Sequence, residues 1–184
     1  MKKEYFLEEY VKSIRDGNAA VFAGAGLSRP SGFMDWKELL QPLAKRIGLD
    51  IMREHDLTAV AQYIRNDAWN RASINQTLID AFAKDVDIND NIRILTRLPI
   101  YTYWTTNYDC LIETGLRTAD RKPDVKHISK QLTVTGRDRD AVVYKMHGDS
   151  SYPFDAILTK DDYAQYEKRY PLFREVLKGD LISI

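Results

Sequence analysis

Residues 19–28 read AAVFAGAGLS: the apolar run Ala19-Ala20-Val21-Phe22-Ala23 passes directly into Gly24-Ala25-Gly26-Leu27-Ser28. A short apolar run ended by glycines predicts a buried strand feeding a glycine turn. Two later stretches repeat this plan. Ile100 to Thr105 is β-branched and aromatic, as core strands are, and leads into Thr106-Asn107-Tyr108-Asp109. Val142-Val143-Tyr144-Lys145-Met146 reads as a third strand and leads into His147-Gly148-Asp149, and Ala156-Ile157-Leu158 as a further short one.

The intervals are helical. Phe6, Leu7, Tyr10, Val11 and Ile14 share one helix face, stopped by Gly17-Asn18. Between the first two strands lie four stripes: Leu39-Leu40-Leu43-Ala44-Ile47, Leu57-Val60-Ala61-Ile64, Ile74-Leu78-Ala81-Phe82 and Ile92-Leu95-Leu98. Strands separated by helices predict one α/β domain over 1–184, built on a Rossmann-like, mainly parallel sheet. The block from about 36 to 98 reads as an all-helical insertion. Leu181-Ile182-Ser183-Ile184 reads as the opening of another strand, either a C-terminal edge or the start of strands cut away.

Lys plus Arg and Asp plus Glu number 27 each, so no single-sign field exists to hold a nucleic-acid backbone. Cys110 is the only cysteine, which excludes an internal disulfide and fits a reducing, cytoplasmic setting. No stretch approaches membrane-spanning length, and no His, Cys and carboxylate set has metal-ligand spacing. The expectation is therefore a protein that binds no metal, membrane or nucleic acid.

Parallel strands bring their carboxyl ends to one sheet edge, where ligands of open α/β sheets bind. The glycine turn allows close backbone approach, and its amides suit a phosphate, with Arg29 adding charge. A plain tight turn explains the same glycines. Asn107 offers a donor and an acceptor to a ribose hydroxyl or a water. Asp109 offers an acceptor to an amide, and equally a helix cap. His147, at a strand end before a glycine, titrates in the range that suits a general base, although a lone histidine is commonly structural. His55 and His127 read as solvent-exposed and carry no expected role.

Taken in order, the three tips resemble the sirtuin-type (SIR2) superfamily along essentially the whole chain. Gly24-Ala25-Gly26-Leu27-Ser28 resembles its nucleotide-binding loop. Gly32, Asp35, Trp36 and Lys37 stand where sirtuins have a glycine and then Asp-Phe-Arg, so Trp36 and Lys37 depart from the pattern. Thr106-Asn107-Tyr108-Asp109 resembles the Gln-Asn-x-Asp segment, and His147-Gly148 the catalytic His-Gly. With Leu158-Thr159-Lys160-Asp161-Asp162-Tyr163, the chain is most similar to the bacterial antiphage-defence branch, of the Thoeris-effector type.

The resemblance implies NAD+ as substrate, hydrolysed at the nicotinamide–ribose bond. It implies Gly24, Ala25, Gly26, Ser28 and Asp35 around the phosphates and adjoining ribose, Asn107 at the nicotinamide ribose, Asp109 at the carboxamide, and His147 as general base. It implies a homo-oligomer or a separate sensor subunit. Two readings stand beside it: an NAD-dependent protein deacylase, and a non-catalytic module binding NAD or ADP-ribose. Deacylating sirtuins carry a four-cysteine zinc module, which one cysteine cannot build.

Overall fold

The computed structural model describes residues 2–183. Its centre is a four-stranded sheet, in which β1 (Ala20–Ala23), β2 (Thr102–Thr105), β3 (Pro123–Lys126) and β4 (Ala141–Lys145) lie in the order β1-β2-β4-β3, all parallel. Three of these are the expected strands. β3 was not expected: Pro123-Asp124-Val125-Lys126 has no apolar run, and it pairs on one side only, where an initial proline is tolerated. Its Lys126 is buried because Asp124 Oδ1 lies 2.8 Å away and the Val134 carbonyl accepts from its ammonium at 2.6 Å.

Helix α1 (Lys3–Arg15) precedes β1. Helices α2 (Trp36–Arg46), α3 (Leu57–Asp67), α4 (Ala72–Phe82) and α5 (Asp90–Arg97) separate β1 from β2, and α6 (Leu111–Thr118) follows β2. Short α7 (Lys160–Ala164) and α8 (Tyr166–Arg169) lead to α9 (Pro171–Ser183). No helix among the described residues is long and apolar enough to cross a membrane.

Alternation along the strands explains how both sheet faces are covered. Tyr103 and Val143 face the larger core with the stripes of α2 to α6, and Trp104 and Tyr144 face the smaller one with Tyr170 and Phe173. Phe22 is in register with Trp104 but sits on β1, at the sheet edge, where it is 59% exposed. The expected fully buried strand is therefore an edge strand in the described sheet.

Two further expectations are corrected. Ala156-Ile157-Leu158 is buried but is no strand; Ile157 N donates to the carbonyl of His147, just past β4, at 2.9 Å, and its own carbonyl accepts from the Tyr108 hydroxyl at 2.7 Å. Leu181 to Ser183 continue α9 rather than opening a strand, and Trp104 Nε1 donates to Asp180 at 2.8 Å in the turn before them. Ile184 lies outside the described residues.

Helices α5 and α6 cross at Gly115, where an added Cβ would lie 2.5 Å from Ile92 Cγ2 and 2.9 Å from Thr96 Cγ2. Both neighbours are 1% exposed and have no room to retreat. Gly115→Ala is therefore expected to cost about 1–3 kcal/mol in urea unfolding, despite alanine's better helix propensity. A stabilised variant would contradict so close a crossing.

Candidate active site

Each tip continues the sheet's bonding, which carries the loops to one edge. Thr106 N donates to the Ala23 carbonyl and Met146 N to that of Thr105, at 3.2 and 2.9 Å. Ser150 N then ties the third tip to the second through the Tyr108 carbonyl at 3.0 Å.

The glycine loop is a tight turn over Ala25–Leu27, with Gly24 extended rather than left-handed. The amides of Leu27 and Ser28 close it on the carbonyls of Gly24 and Ala25. These two amides are thus taken up within the turn. The space a Cβ on Gly26 would enter holds no atom within 4 Å, so the turn is open to an approaching ligand. Arg29, 61% exposed, pairs with Asp35 at 3.0 Å and Glu38 at 3.4 Å. Asp35 itself caps α2, accepting from Glu38 N at 3.0 Å while Glu38 accepts from Asp35 N at 2.8 Å. That capping box accounts for Asp35 locally.

Asn107 clamps the first two tips together. Its Nδ2 donates to the Gly24 carbonyl at 3.0 Å and to Ser28 Oγ at 2.8 Å. The carbonyl partner fixes the amide's orientation, and both Nδ2 protons are used, so Asn107 presents Oδ1, an acceptor, to a ligand. Asp109 divides its two oxygens: Oδ1 caps α6 by accepting from Leu111 N at 3.1 Å, and Oδ2 is buried with no partner. Cap and ligand anchor are compatible in this one residue.

His147 stands beyond β4 with its ring between Trp36 (6.4 Å between centroids) and Tyr163 (5.5 Å). Its Nε2 lies 3.4 Å from the Tyr163 hydroxyl, and Nδ1 is buried without a partner. Burial lowers its pKa to about 4, so the ring is neutral at pH 7. Gly148 follows at φ +91, where a Cβ would meet Ala156 Cα at 3.0 Å, so only glycine fits behind the imidazole. Trp36 also lines a narrow cleft of about 40 Å³ with Ala25, Ser28, Asn107 and Asp109, so the first two tips converge there and the Trp36 ring stands between that cleft and His147. Phe82 separates this cleft from a wider cavity of about 270 Å³ bordered by Lys84, Cys110, Ser150 and Ser151.

Beneath the second tip lies a charge cluster that sequence reasoning missed. Lys145 is 0% exposed; its ammonium donates to the carbonyls of Tyr108 (3.1 Å) and Asp109 (2.7 Å) and pairs with Glu113 (3.2 Å) and Asp149 (2.5 Å). Burial alone would lower its pKa, but the two carboxylates outweigh that and raise it. Burial in turn raises Glu113 and pushes the Cys110 thiol up to about 11. Cys110, Glu113 and Asp149 could ligate a cation, but Lys145 Nζ contacts all three. The signal was parity: Lys145 shares a face with buried Val143. His127 was also misplaced. It is 7% exposed, stacked on Tyr152 at 4.6 Å and held by Gln131, and burial lowers its pKa. His55 is exposed, as expected.

Residues 101–183 match the family model of the SIR2-like domain. The chain is 49% identical over 98% of its length to "NAD(+) hydrolase ThsA" of Bacillus cereus, covering 38% of that protein. It is 46% identical over its whole length to the protein of the same name from Enterococcus faecium, covering 39% of it. "Defense-associated sirtuin 2" of Bacillus subtilis is 27% identical over 94% of the chain, which covers 18% of it. The chain thus spans about two fifths of the length of its ThsA relatives. A parallel sheet whose three loops meet at one edge thus carries a match to the SIR2-like domain over residues 101–183, and the chain is similar along nearly its whole length to proteins named NAD(+) hydrolase ThsA.

Proposed function

We propose that this chain hydrolyses NAD+ at the nicotinamide–ribose bond, giving nicotinamide and ADP-ribose. The observation that carries the reading is Asp109 Oδ2: a buried acceptor without a donor, on a residue lining the cleft, matches the amide of a carboxamide. The relatives named as NAD(+) hydrolases support it. The cleft takes only the reacting end of so large a ligand, the remainder lying over the glycine turn or across Phe82.

In this reading Asp109 orients nicotinamide and Asn107 Oδ1 accepts from a ribose hydroxyl or the attacking water. Gly24, Ala25, Gly26 and Ser28 border the adjoining ribose and phosphates, and Asp35 contributes through the α2 cap. The C1′–N bond breaks with its electron pair leaving on nicotinamide. Water oxygen bonds to C1′, its proton passes to the neutral imidazole of His147, and solvent later receives it. Much of the rate comes from holding these groups in register. No metal is required by this scheme.

Because His147 acts as a base when neutral, its lowered pKa keeps it competent well below the usual histidine range. The acid limb of kcat/KM, which reports the free enzyme, is expected near pH 4, with the rate falling as the imidazole protonates. A limb near pH 6.5 would contradict the buried setting.

The activity is tested by incubating purified protein with NAD+, with and without an acyl-lysine peptide, and measuring free nicotinamide. Release without peptide is expected. Release only with peptide would make the protein a deacylase, and NAD+ binding without release a non-catalytic module. The reading extends to a cytoplasmic enzyme of bacterial antiphage defence, acting as a homo-oligomer or with a separate sensor subunit. The lone free thiol and the defence-associated relative support that extension.

A further inference from the structure

A general base works only if the nitrogen that must accept the proton is bare, and something must set which nitrogen that is. Among the described residues, the one side-chain polar group against the His147 ring is the Tyr163 hydroxyl, 3.4 Å from Nε2. The ring planes of His147 and Tyr163 meet edge to face at 81°, and Trp36 lies 6.4 Å from each. The imidazole thus has little freedom to turn.

Tyr163 is itself held from a distance. Thr159 and Asp162 form a capping box at the start of α7, and Asp162 forms an ion pair with Arg71 at 2.6 Å, the two side chains 7% and 17% exposed. Asp161 accepts from Gln62 at 3.0 Å and from Arg65 at 2.7 Å. Both residues before Tyr163 are therefore anchored to the helical block between β1 and β2. Burial pushes the Tyr163 hydroxyl up to about 12, so it keeps its proton at working pH.

We propose that Tyr163 is a positioning residue for His147: its hydroxyl accepts from Nε2–H and so leaves the unpartnered Nδ1 as the bare nitrogen, and its ring, with Trp36, fixes the imidazole plane. This rests on the NAD+-cleaving reading for its consequence in rate, but not for its geometry.

The test is Tyr163→Phe, which keeps the ring and its packing, read by ¹⁵N NMR of histidine-labelled full chain with the His147 signals assigned through His147→Ala. The parent is expected to show one dominant tautomer of His147. In Tyr163→Phe its two ring nitrogen resonances should move toward each other as the tautomers mix. Nicotinamide release should fall roughly 10- to 100-fold in kcat, with KM changed much less. A purely structural role would leave the resonances in place. Unmoved His147 resonances in Tyr163→Phe, or an unchanged kcat, would overturn the proposal. If the parent protein releases no nicotinamide, the functional reading falls, while the NMR arm still decides whether Tyr163 governs the imidazole.

Discussion

His147→Ala is expected to lower nicotinamide release by ~10²–10⁴-fold, the range that general-base help supplies, with a thermal midpoint close to that of the parent. Little hydrogen-bond energy goes with the ring: among the described residues its side-chain polar contact is the one to Tyr163 at 3.4 Å, and its Nδ1 is unpaired, so the loss is confined to packing against Trp36 and Tyr163. The backbone behind it is kept by Gly148, which the substitution does not touch. Asn107→Ala should also abolish turnover, but it removes two buried bonds to Gly24 and Ser28 and so mixes chemistry with a stability loss of about 1–3 kcal/mol. His147 is the cleaner test. Turnover near the parent's in His147→Ala would reject the imidazole as base.

Lys145→Met is expected to destabilise the protein by about 3–5 kcal/mol, the usual loss when one partner of a buried ionic cluster is removed. Methionine nearly matches the volume, so the effect is charge: Glu113 and Asp149 stay buried without a counter-ion, and the carbonyls of Tyr108 and Asp109 lose their donor. The sign of the pH dependence follows. In the parent, burial works to raise Asp149, but Lys145 outweighs it and holds that pKa low, while burial already leaves Glu113 raised. Without the lysine Glu113 rises further and Asp149 rises from its lowered value, the folded variant binds protons the unfolded chain does not, and its deficit shrinks as pH falls. Urea unfolding of both proteins at pH 8 and pH 5 measures this. A deficit independent of pH would contradict the cluster.

The strands that sequence reading found, β1, β2 and β4, are those whose apolar or β-branched runs are buried on at least one face. β3 escaped because an edge strand needs no such run, and its lysine is buried by local pairing with Asp124. Leu181 to Ser183 looked like a strand because three aliphatic and hydroxyl residues carry no period of their own; the helix there continues from the turn at Asp180, which accepts from Trp104. The positions of Gly24 to Ser28, Asn107, Asp109 and His147 were legible because parallel strands share a polarity. What each side chain has left to offer was not. That Asn107 keeps only an acceptor, that Arg29 pairs with Asp35 and Glu38, and that Lys145 lies under the second tip depend on folded partners and leave no local pattern.

The clamp made by Asn107 reaches partners 83 and 79 positions earlier in the chain, and α7 is fastened to a glutamine 99 positions before it. Contacts this distant form late, after the loops between them have closed. On the ribosome, His147 emerges on the order of ten seconds after Ser28 at ordinary elongation speeds. A nascent chain therefore carries the turn and its helices with no imidazole beside them, and under the proposed reading the site is incomplete until synthesis has passed β4.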